Sequence, residues 1–178
     1  MEQKLAPGVT LVLGGARSGK SRFAELLVET SGLGPVYIAT GTAFDAEMRN
    51  RIEAHRNRRG PAWRTIEAPI DLVGALRSED LPASCILVDC LTLWVNNLMV
   101  ANGDIETAGN ELVHTLDELK QPAVLVANEV GLGIVPDNAM ARRFRDEAGR
   151  LNQKIAAVAA NVYFVAAGLP VVLKPSRN

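Results

Sequence analysis

Short apolar runs alternate along this chain with segments in which apolar side chains recur at helical spacing. The apolar runs predict strands at residues 10–13, 36–39, 63–66, 86–88, 124–127, 162–165 and 171–173. The periodic segments predict helices over residues 20–31, 42–57, 69–78, 90–101, 105–119 and 138–160. Because strands without polar alternation are covered on both faces, this order predicts an α/β fold, with a mainly parallel sheet and helices on both faces.

The composition is typical of a globular domain. Of the 178 residues, 48% are apolar and 22% charged, and the formal net charge is -1. We expect a single domain over residues 1–178, with residues 1–8 as a flexible tail. The small net charge gives no field that would attract nucleic acid, and no apolar stretch is long enough to span a bilayer. The first residues lack the apolar core of a signal peptide, so the sequence predicts a cytoplasmic protein.

The clearest chemical signature lies between the first predicted strand and the first predicted helix. It reads Gly14-Gly15-Ala16-Arg17-Ser18-Gly19-Lys20-Ser21, with the glycine, lysine and serine spacing of a phosphate-binding loop. Gly14 and Gly19 let the backbone curl so that N–H groups converge on phosphate oxygens, and the following helix adds its positive dipole end. Lys20 is expected to reach the β- and γ-phosphates, and Ser21 to ligate Mg²⁺. The chain is therefore expected to bind a nucleoside triphosphate in a P-loop NTPase (RecA-like) fold.

Polar residues follow three other predicted strands, at Thr40-Gly41, Asp89 and Asn128-Glu129. Ligands of parallel sheets bind beyond the carboxyl ends of the strands, so these residues are expected to converge with the phosphate loop. Asp89 stands where P-loop proteins place the acid that holds Mg²⁺, and a helix N-cap is the alternative. Asn128 and Glu129 either contact a ligand or form a turn closed by Gly131.

The two cysteines, Cys85 and Cys90, flank the fourth predicted strand. This spacing is poor for zinc, and no histidine or second cysteine pair completes a metal site. Buried, reduced thiols are therefore expected.

The segment 49–64 is strongly basic. It carries Arg49, Arg51, Arg56, Arg58, Arg59 and Arg64 but a single acid, Glu53, and it contains His55. One interpretation is a solvated basic helix with a partly buried histidine. The other is a second phosphate site, in which arginines neutralise a polyphosphate and His55 acts as acid, base or nucleophile.

Several segments together resemble the bifunctional adenosylcobinamide kinase / adenosylcobinamide-phosphate guanylyltransferase family of cobalamin biosynthesis. They are residues 14–22, 37–40, 45–48 with 51, 52 and 55, 63–65, 89–92, 128–136 and 143–153, so the resemblance extends over about residues 9–173. It implies that ATP or GTP phosphorylates the aminopropanol hydroxyl of adenosylcobinamide. GTP then donates GMP to adenosylcobinamide phosphate, which gives adenosylcobinamide-GDP and pyrophosphate.

The resemblance also implies roles for individual residues. The guanylyl group passes in this family through a histidine, which corresponds to His55 here. The remaining implied nucleotide-binding residues are those of the phosphate loop together with Ala39, Thr40, Gly41, Arg56, Asn57, Arg58, Arg59, Glu67 and Asp89, with Mg²⁺ at Ser21 and Asp89. A homotrimer with sites near the subunit boundaries is implied as well. Whether the kinase and transferase nucleotides share one site or occupy two is left open.

Other function classes are alternatives to the function that the resemblance implies, and each predicts a different sequence feature or behaviour. A P-loop kinase of a small metabolite would need no reactive His55. A GTPase switch would carry an Asn/Thr-Lys-x-Asp segment, and the nearest candidate, residues 128–131, has neither the lysine nor the aspartate. A RecA-like ATPase module would show hydrolysis stimulated by nucleic acid or a partner protein, for which the modest net charge gives no support.

Overall fold

The computed structural model describes residue 5 and residues 7–41 and 59–175. Seven strands and five helices lie in this part of the chain: β1 (Val9–Gly14), α1 (Lys20–Glu29), β2 (Gly34–Ala39), β3 (Arg64–Glu67), α2 (Leu72–Glu79), β4 (Ser84–Asp89), α3 (Leu91–Val100), α4 (Ile105–Glu118), β5 (Ala123–Asn128), α5 (Ala139–Val158), β6 (Asn161–Ala166) and β7 (Leu169–Lys174). Each predicted strand is confirmed, and so is each predicted helix except that over 42–57, which lies outside the described residues. The largest boundary difference is at α2, because the Asp71 carboxylate accepts from the Gly74 N–H and begins the helix at Leu72.

The strands form one sheet in the order β3-β2-β4-β5-β1-β6-β7. Every neighbouring pair is parallel except β6 and β7, which are antiparallel. The first strand lies inside the sheet, since Leu11 pairs with Leu125 of β5 on one side and with Val162 of β6 on the other. The carboxyl ends of β1 to β6 therefore share one edge of the sheet.

Both faces of the sheet are covered, as predicted. Leu11 and Ile38 belong to the core cluster that includes α2, α3, α4 and α5, whereas Val12 belongs to the cluster that includes Leu27 and Val28 of α1. Strand side chains alternate between the two faces, and each buried leucine, isoleucine or valine contributes about 1.5–3 kcal/mol. Central strands buried on both sides need no polar alternation, which explains their continuous apolar sequences.

The cysteines are buried and form no disulfide, as expected from the sequence. Burial raises the pKa of the Cys85 thiol from 9.0 to about 12, and a hydrogen bond with Ser31 lowers it slightly. Among the helices in the described part of the chain, none combines the length and apolar character needed to cross a membrane.

Candidate nucleotide-binding site

The phosphate loop connects the end of β1 to the start of α1 and is closely packed around two glycines. A Cβ atom on Gly14 would lie 2.5 Å from Ser18 Oγ and 2.6 Å from the Val165 carbonyl oxygen. Gly19 has φ 95°, and a Cβ atom there would lie 2.9 Å from the Gly168 Cα. The packing of the loop therefore requires glycine at both positions.

The turn between β6 and β7 braces this loop. The Gly168 N–H donates to the Ser18 carbonyl oxygen over 2.7 Å. Ala167 and Gly168 have φ of 51° and 78°, as a two-residue hairpin turn with two left-handed central residues requires. The only antiparallel connection among the described strands thus places its turn at the edge where the parallel strands end.

The N-terminus of α1 is open to an anion. Gly19 occupies the cap position without a side-chain hydrogen bond, and the first turn of the helix holds no acid. The starts of α2, α4 and α5, by contrast, are capped by Asp71, Asp104 and Asn138. The Lys20 ammonium donates to the Gly15 carbonyl oxygen over 3.2 Å, so the cation lies over the loop. Helix amides and this ammonium together favour bound phosphate.

Asp89 lies close enough to the phosphate loop that its carboxylate and the Lys20 ammonium affect the same group, the Cys90 thiol. Burial is the main reason that the pKa of the Cys90 thiol rises to about 12, and the Asp89 carboxylate raises it further, whereas the Lys20 ammonium lowers it. The lysine of the loop and the carboxylate of β4 therefore act on one thiol. Cys90, not Asp89, precedes α3 as its N-cap residue, so the alternative in which Asp89 caps that helix is wrong.

A buried polar network fixes the backbone next to Asp89. The Thr40 hydroxyl donates to the Cys90 carbonyl oxygen over 2.7 Å and accepts from the Cys90 N–H over 2.9 Å. The Asn97 side-chain amide donates to the carbonyl oxygens of Thr40, over 2.7 Å, and Pro69, over 2.9 Å. Asn97 is not among the residues predicted from the sequence, where its only signal is an amide within the apolar helix α3. This network ties the ends of β2 and β4 together.

The end of β5 is joined directly to the phosphate loop. Asn128 pairs with Gly14, and the Glu129 N–H donates to the Gly14 carbonyl oxygen over 3.1 Å. The Glu129 carboxylate accepts from the Gly131 N–H, so the predicted turn closed by Gly131 is present. The Asn128 N–H donates to the Thr92 hydroxyl over 2.7 Å. The predicted convergence of these strand ends with the phosphate loop is confirmed.

Three adjacent strands also end side by side. Ala39 of β2 pairs with Glu67 of β3 on one side and with Asp89 of β4 on the other. Gly41 follows at the same edge, where a Cβ atom would lie 3.2 Å from Leu93 Cδ1. The predicted site residues at the ends of β2, β3 and β4 thus lie at one edge of the sheet, together with the phosphate loop.

Arg59 has a different environment from the one its basic neighbours in sequence suggest. Its side chain is 3% exposed, with the guanidinium 3.4 Å above the Tyr37 ring and Nη1 3.8 Å from Glu25 Oε1. Burial, more than the nearby Asp89 carboxylate, raises the pKa of the Tyr37 hydroxyl, and the Arg59 charge opposes this rise. The solvated interpretation is therefore wrong for Arg59. His55, Arg56, Asn57 and Arg58 lie outside the described residues.

Comparison with known proteins identifies the family of this chain. Residues 10–173 match the family described as cobinamide kinase / cobinamide phosphate guanyltransferase. The bifunctional adenosylcobalamin biosynthesis protein CobP of Pseudomonas aeruginosa is 51% identical over 166 residues, which cover 92% of this chain and 96% of that relative. The corresponding protein CobU of Escherichia coli is 43% identical, with 92% of this chain and 98% of that relative covered.

Solved structures match the fold at much lower identity. The flagellar accessory protein FlaH of Methanocaldococcus jannaschii superposes with a TM-score of 0.55 at 14% identity, over 95% of this chain and 79% of that one. A Pyrococcus horikoshii protein gives a TM-score of 0.58 at 10% identity, over 99% and 90% of the two chains. These likenesses confirm the α/β architecture, and the phosphate loop makes it a P-loop NTPase fold. With its family and both relatives in agreement, the chain belongs to the cobinamide kinase / cobinamide phosphate guanyltransferase family and is an enzyme of adenosylcobalamin biosynthesis with both activities.

Proposed function

We propose that this enzyme binds ATP or GTP at the phosphate loop for its kinase reaction, and that it transfers GMP from GTP through His55. The observation that supports the first part is the Lys20 ammonium on the Gly15 carbonyl oxygen, at the uncapped start of α1 and at the edge of the sheet where β4 ends in Asp89. The second part assigns the guanylyl transfer of the family to His55, the histidine within the arginine-rich segment 49–64. Adenosylcobinamide and adenosylcobinamide phosphate are the proposed substrates.

In the kinase reaction the loop amides and Lys20 hold the triphosphate. The aminopropanol oxygen attacks the γ-phosphorus, forms an O–P bond and displaces the nucleoside diphosphate, and the hydroxyl proton leaves to solvent. Charge accumulates on the transferring phosphoryl oxygens, and Lys20 and the helix amides stabilise it. The Thr40 and Asn97 network keeps Asp89 in place during this step.

The residues present fit a magnesium ion. Asp89 and Ser21 offer a carboxylate and a hydroxyl oxygen, the hard ligands that Mg²⁺ prefers. Within residues 7–41 and 59–175, no group of three or more His, Cys, Asp or Glu side chains could enclose a metal. This suits an ion held by one or two protein oxygens together with the nucleotide. When bound, Mg²⁺ neutralises charge on the β- and γ-phosphate oxygens.

In the transferase reaction an imidazole nitrogen of His55 attacks the α-phosphorus of GTP. An N–P bond forms, the bond from the α-phosphorus to the bridging oxygen breaks, and pyrophosphate leaves. An oxygen of adenosylcobinamide phosphate then attacks the same phosphorus, the N–P bond breaks, and the histidine is regenerated. Arg56, Asn57, Arg58 and Arg59 bind the nucleotide in this proposal, and Arg59 itself contacts Glu25 of α1.

The histidine carrier is tested by labelling. The protein is incubated with Mg²⁺ and GTP labelled at the α- or the γ-phosphate, and then denatured. We expect an acid-labile, alkali-stable label from the α-position alone, which His55→Ala abolishes. His114→Ala is the matched control, because His114 is the other histidine and lies exposed on α4, 3.6 Å from Glu118. Absence of label while nucleotide remains bound would contradict a covalent carrier.

A homotrimer in the cytoplasm completes the proposal. The trimer follows from the family resemblance, and the exposed apolar side chains Leu169, Val171, Val172 and Leu173 of β7 offer surface for association. Sedimentation analysis is expected to give three copies of the 19.1 kDa chain. A single copy at micromolar concentration would contradict it.

A further inference from the structure

The loop between β5 and α5, residues 129–138, exposes several apolar side chains to solvent. Leu132 is 82% exposed and Ile134 98%, and Val135 and Met140 nearby are also exposed. Scattered apolar residues are normal on a surface, but several within one short loop indicate a binding surface. This loop, here called the β5–α5 loop, is not used by the reactions described above.

The β5–α5 loop is fixed at both ends. At its start the Glu129 N–H donates to the Gly14 carbonyl oxygen, and the Glu129 carboxylate accepts from the Gly131 N–H. At its end Arg142 Nη1 donates to the carbonyl oxygens of Pro136, over 2.9 Å, and Asp137, over 2.8 Å. The loop between these anchors therefore presents its apolar residues from a defined base.

The loop also lies beside the phosphate site. Glu129 contacts Gly14, and Leu132 follows three residues later, so at most about 11 Å of chain separates Leu132 from that contact. The substrate that accepts the phosphoryl group must bind within reach of this edge. Lys20, Asp89 and Asn128 at the same edge are polar, so they do not supply an apolar surface for it.

Gly133, between Leu132 and Ile134, is not required by the described part of the chain. A Cβ atom there would meet nothing within 4 Å among the described residues, and its φ lies outside the left-handed region. Gly131 differs, because a Cβ atom would lie 2.9 Å from Glu129 Oε1. Because Gly133 carries no side chain and nothing in the described chain lies close to it, its backbone is open to the approach of a ligand.

We propose that Leu132, Gly133 and Ile134 form the docking surface for the corrin ring of the substrate. The ring is large and flat and is bordered by methyl groups and amide side chains. Leucine and isoleucine cover its apolar parts, and the bare backbone at Gly133 admits its amides to hydrogen-bonding distance. The inference rests on the proposed use of the phosphate loop for the kinase reaction, since that places the acceptor hydroxyl at this edge.

The test uses the full-length Leu132→Ser/Ile134→Ser double variant. Both side chains are exposed, so the substitution leaves the fold intact. We expect the KM for adenosylcobinamide to rise about tenfold or more, while kcat and the KM for the nucleotide stay within about twofold. Val100→Ser is the matched control, because Val100 is also exposed but lies at the end of α3, on the side of the sheet opposite to the carboxyl end of β4, and its kinetics are expected to be unchanged.

A second variant separates docking from folding. Gly133→Ala is expected to weaken equilibrium binding of adenosylcobinamide, followed by tryptophan fluorescence, with an unfolding midpoint equal to or above that of the wild type. An unchanged KM in the double variant together with unchanged binding in Gly133→Ala overturns the proposal. So does a lower sedimentation mass of the double variant with both KM values altered alike, which assigns the loop to an interface between copies.

Failure of the docking surface and failure of the proposed function give different results. A wild-type protein that binds nucleotide but leaves adenosylcobinamide unphosphorylated contradicts the proposed function and, with it, the docking surface. A wild-type protein that phosphorylates adenosylcobinamide, with a double variant of equal KM, contradicts the docking surface alone.

Discussion

The phosphate loop and the β5–α5 loop leave neighbouring strands at one edge of the sheet, and one hydrogen bond joins them, yet Gly14 and Gly19 of the first loop differ from Gly133 of the second in their surroundings. Gly14 and Gly19 face atoms that a Cβ would approach to within 2.5–2.9 Å, whereas Gly133 faces open space among the described residues. The first loop is shaped by the chain itself. The second is held at its ends and exposes apolar side chains between them. The fold therefore excludes a side chain at Gly14 and Gly19 but leaves room for one at Gly133.

This difference between the two loops matches the different binding needs of the phosphate donor and the organic acceptor in a phosphoryl transfer. Phosphate groups need amides and a cation held in place before binding, because reorganising them during the reaction would raise the barrier. A large organic acceptor needs area and shape instead, which an exposed apolar loop provides. The predictions below test whether the two loops are as different as their surroundings indicate.

The largest effect is expected from Lys20→Ala. Without its ammonium the phosphate loop loses the cation that balances charge on the transferring phosphoryl group, so kcat for cobinamide phosphorylation should fall by about 10²–10³-fold. Lys154→Ala serves as the charge-matched control, since Lys154 donates to Asn110 between α5 and α4. A wild-type kcat in the Lys20→Ala variant would contradict a role for the phosphate loop in the kinase reaction.

The glycines give the most direct comparison. Gly19→Ala forces a side chain into a left-handed φ and against Gly168, and we expect the free energy of unfolding to fall by about 1–3 kcal/mol. Gly133→Ala should leave it unchanged or raise it by up to about 1 kcal/mol, because the unfolded chain loses freedom. Urea unfolding of both variants measures the difference, and equal destabilisation would mean that the two loops are packed alike.

The polar network behind the phosphate site should also contribute to stability. Thr40→Val keeps the shape of the side chain but leaves the buried N–H and carbonyl groups of Cys90 without their hydroxyl partner, at a cost of about 1–3 kcal/mol. Thr30→Val is the control, since the Thr30 hydroxyl bonds to Leu26 at an exposed helix end and its loss should cost below about 0.5 kcal/mol. Urea unfolding that ranks the two variants equally would contradict the role of the network.

The smallest effect concerns pH. Cys85 has a pKa of about 12 in the folded protein and an ordinary value of 9.0, so between these values the unfolded chain releases a proton that the folded chain retains. The free energy of unfolding should therefore fall as pH rises above about 9, by up to about 1.4 kcal/mol per pH unit for this thiol, and show no such dependence below it. Unfolding at pH 8 and pH 10 should give a shallower decline for Cys85→Ala, and an identical decline would contradict the burial of this thiol.

The parts of the fold that the sequence predicted are those with a repeating signal. The strand at β4 is a continuous apolar run because both of its faces are covered, and the phosphate loop is recognisable because phosphate binding demands glycine, lysine and serine at fixed spacing. The antiparallel direction of β7 has no such signal, since it depends on two left-handed residues in the turn at Ala167 and Gly168.

The Asn97 network and the burial of Arg59 could not be predicted from the sequence, because both depend on contacts between distant positions. The Asn97 side chain forms a hydrogen bond with the Thr40 carbonyl oxygen, 57 positions away, and no pattern along the sequence predicts such a pair. Arg59 belongs to a run of basic residues that indicates either solvent or phosphate, yet its guanidinium lies on Tyr37. Arg59 is buried because β2 and α1 bring an aromatic ring and a carboxylate beside it, and the sequence around Arg59 does not show these contacts.

The brace between Gly168 and the phosphate loop has a consequence for protein synthesis. β1 is made first but lies between β5 and β6, and the Ser18 carbonyl receives its hydrogen bond from a residue 150 positions later. At about 5–20 residues per second, a ribosome needs roughly 8–30 s to cover that distance. A nascent chain therefore carries the phosphate-loop sequence long before it carries the braced phosphate loop. Tight nucleotide binding by newly made chains should begin only after the turn at Gly168 has left the exit tunnel.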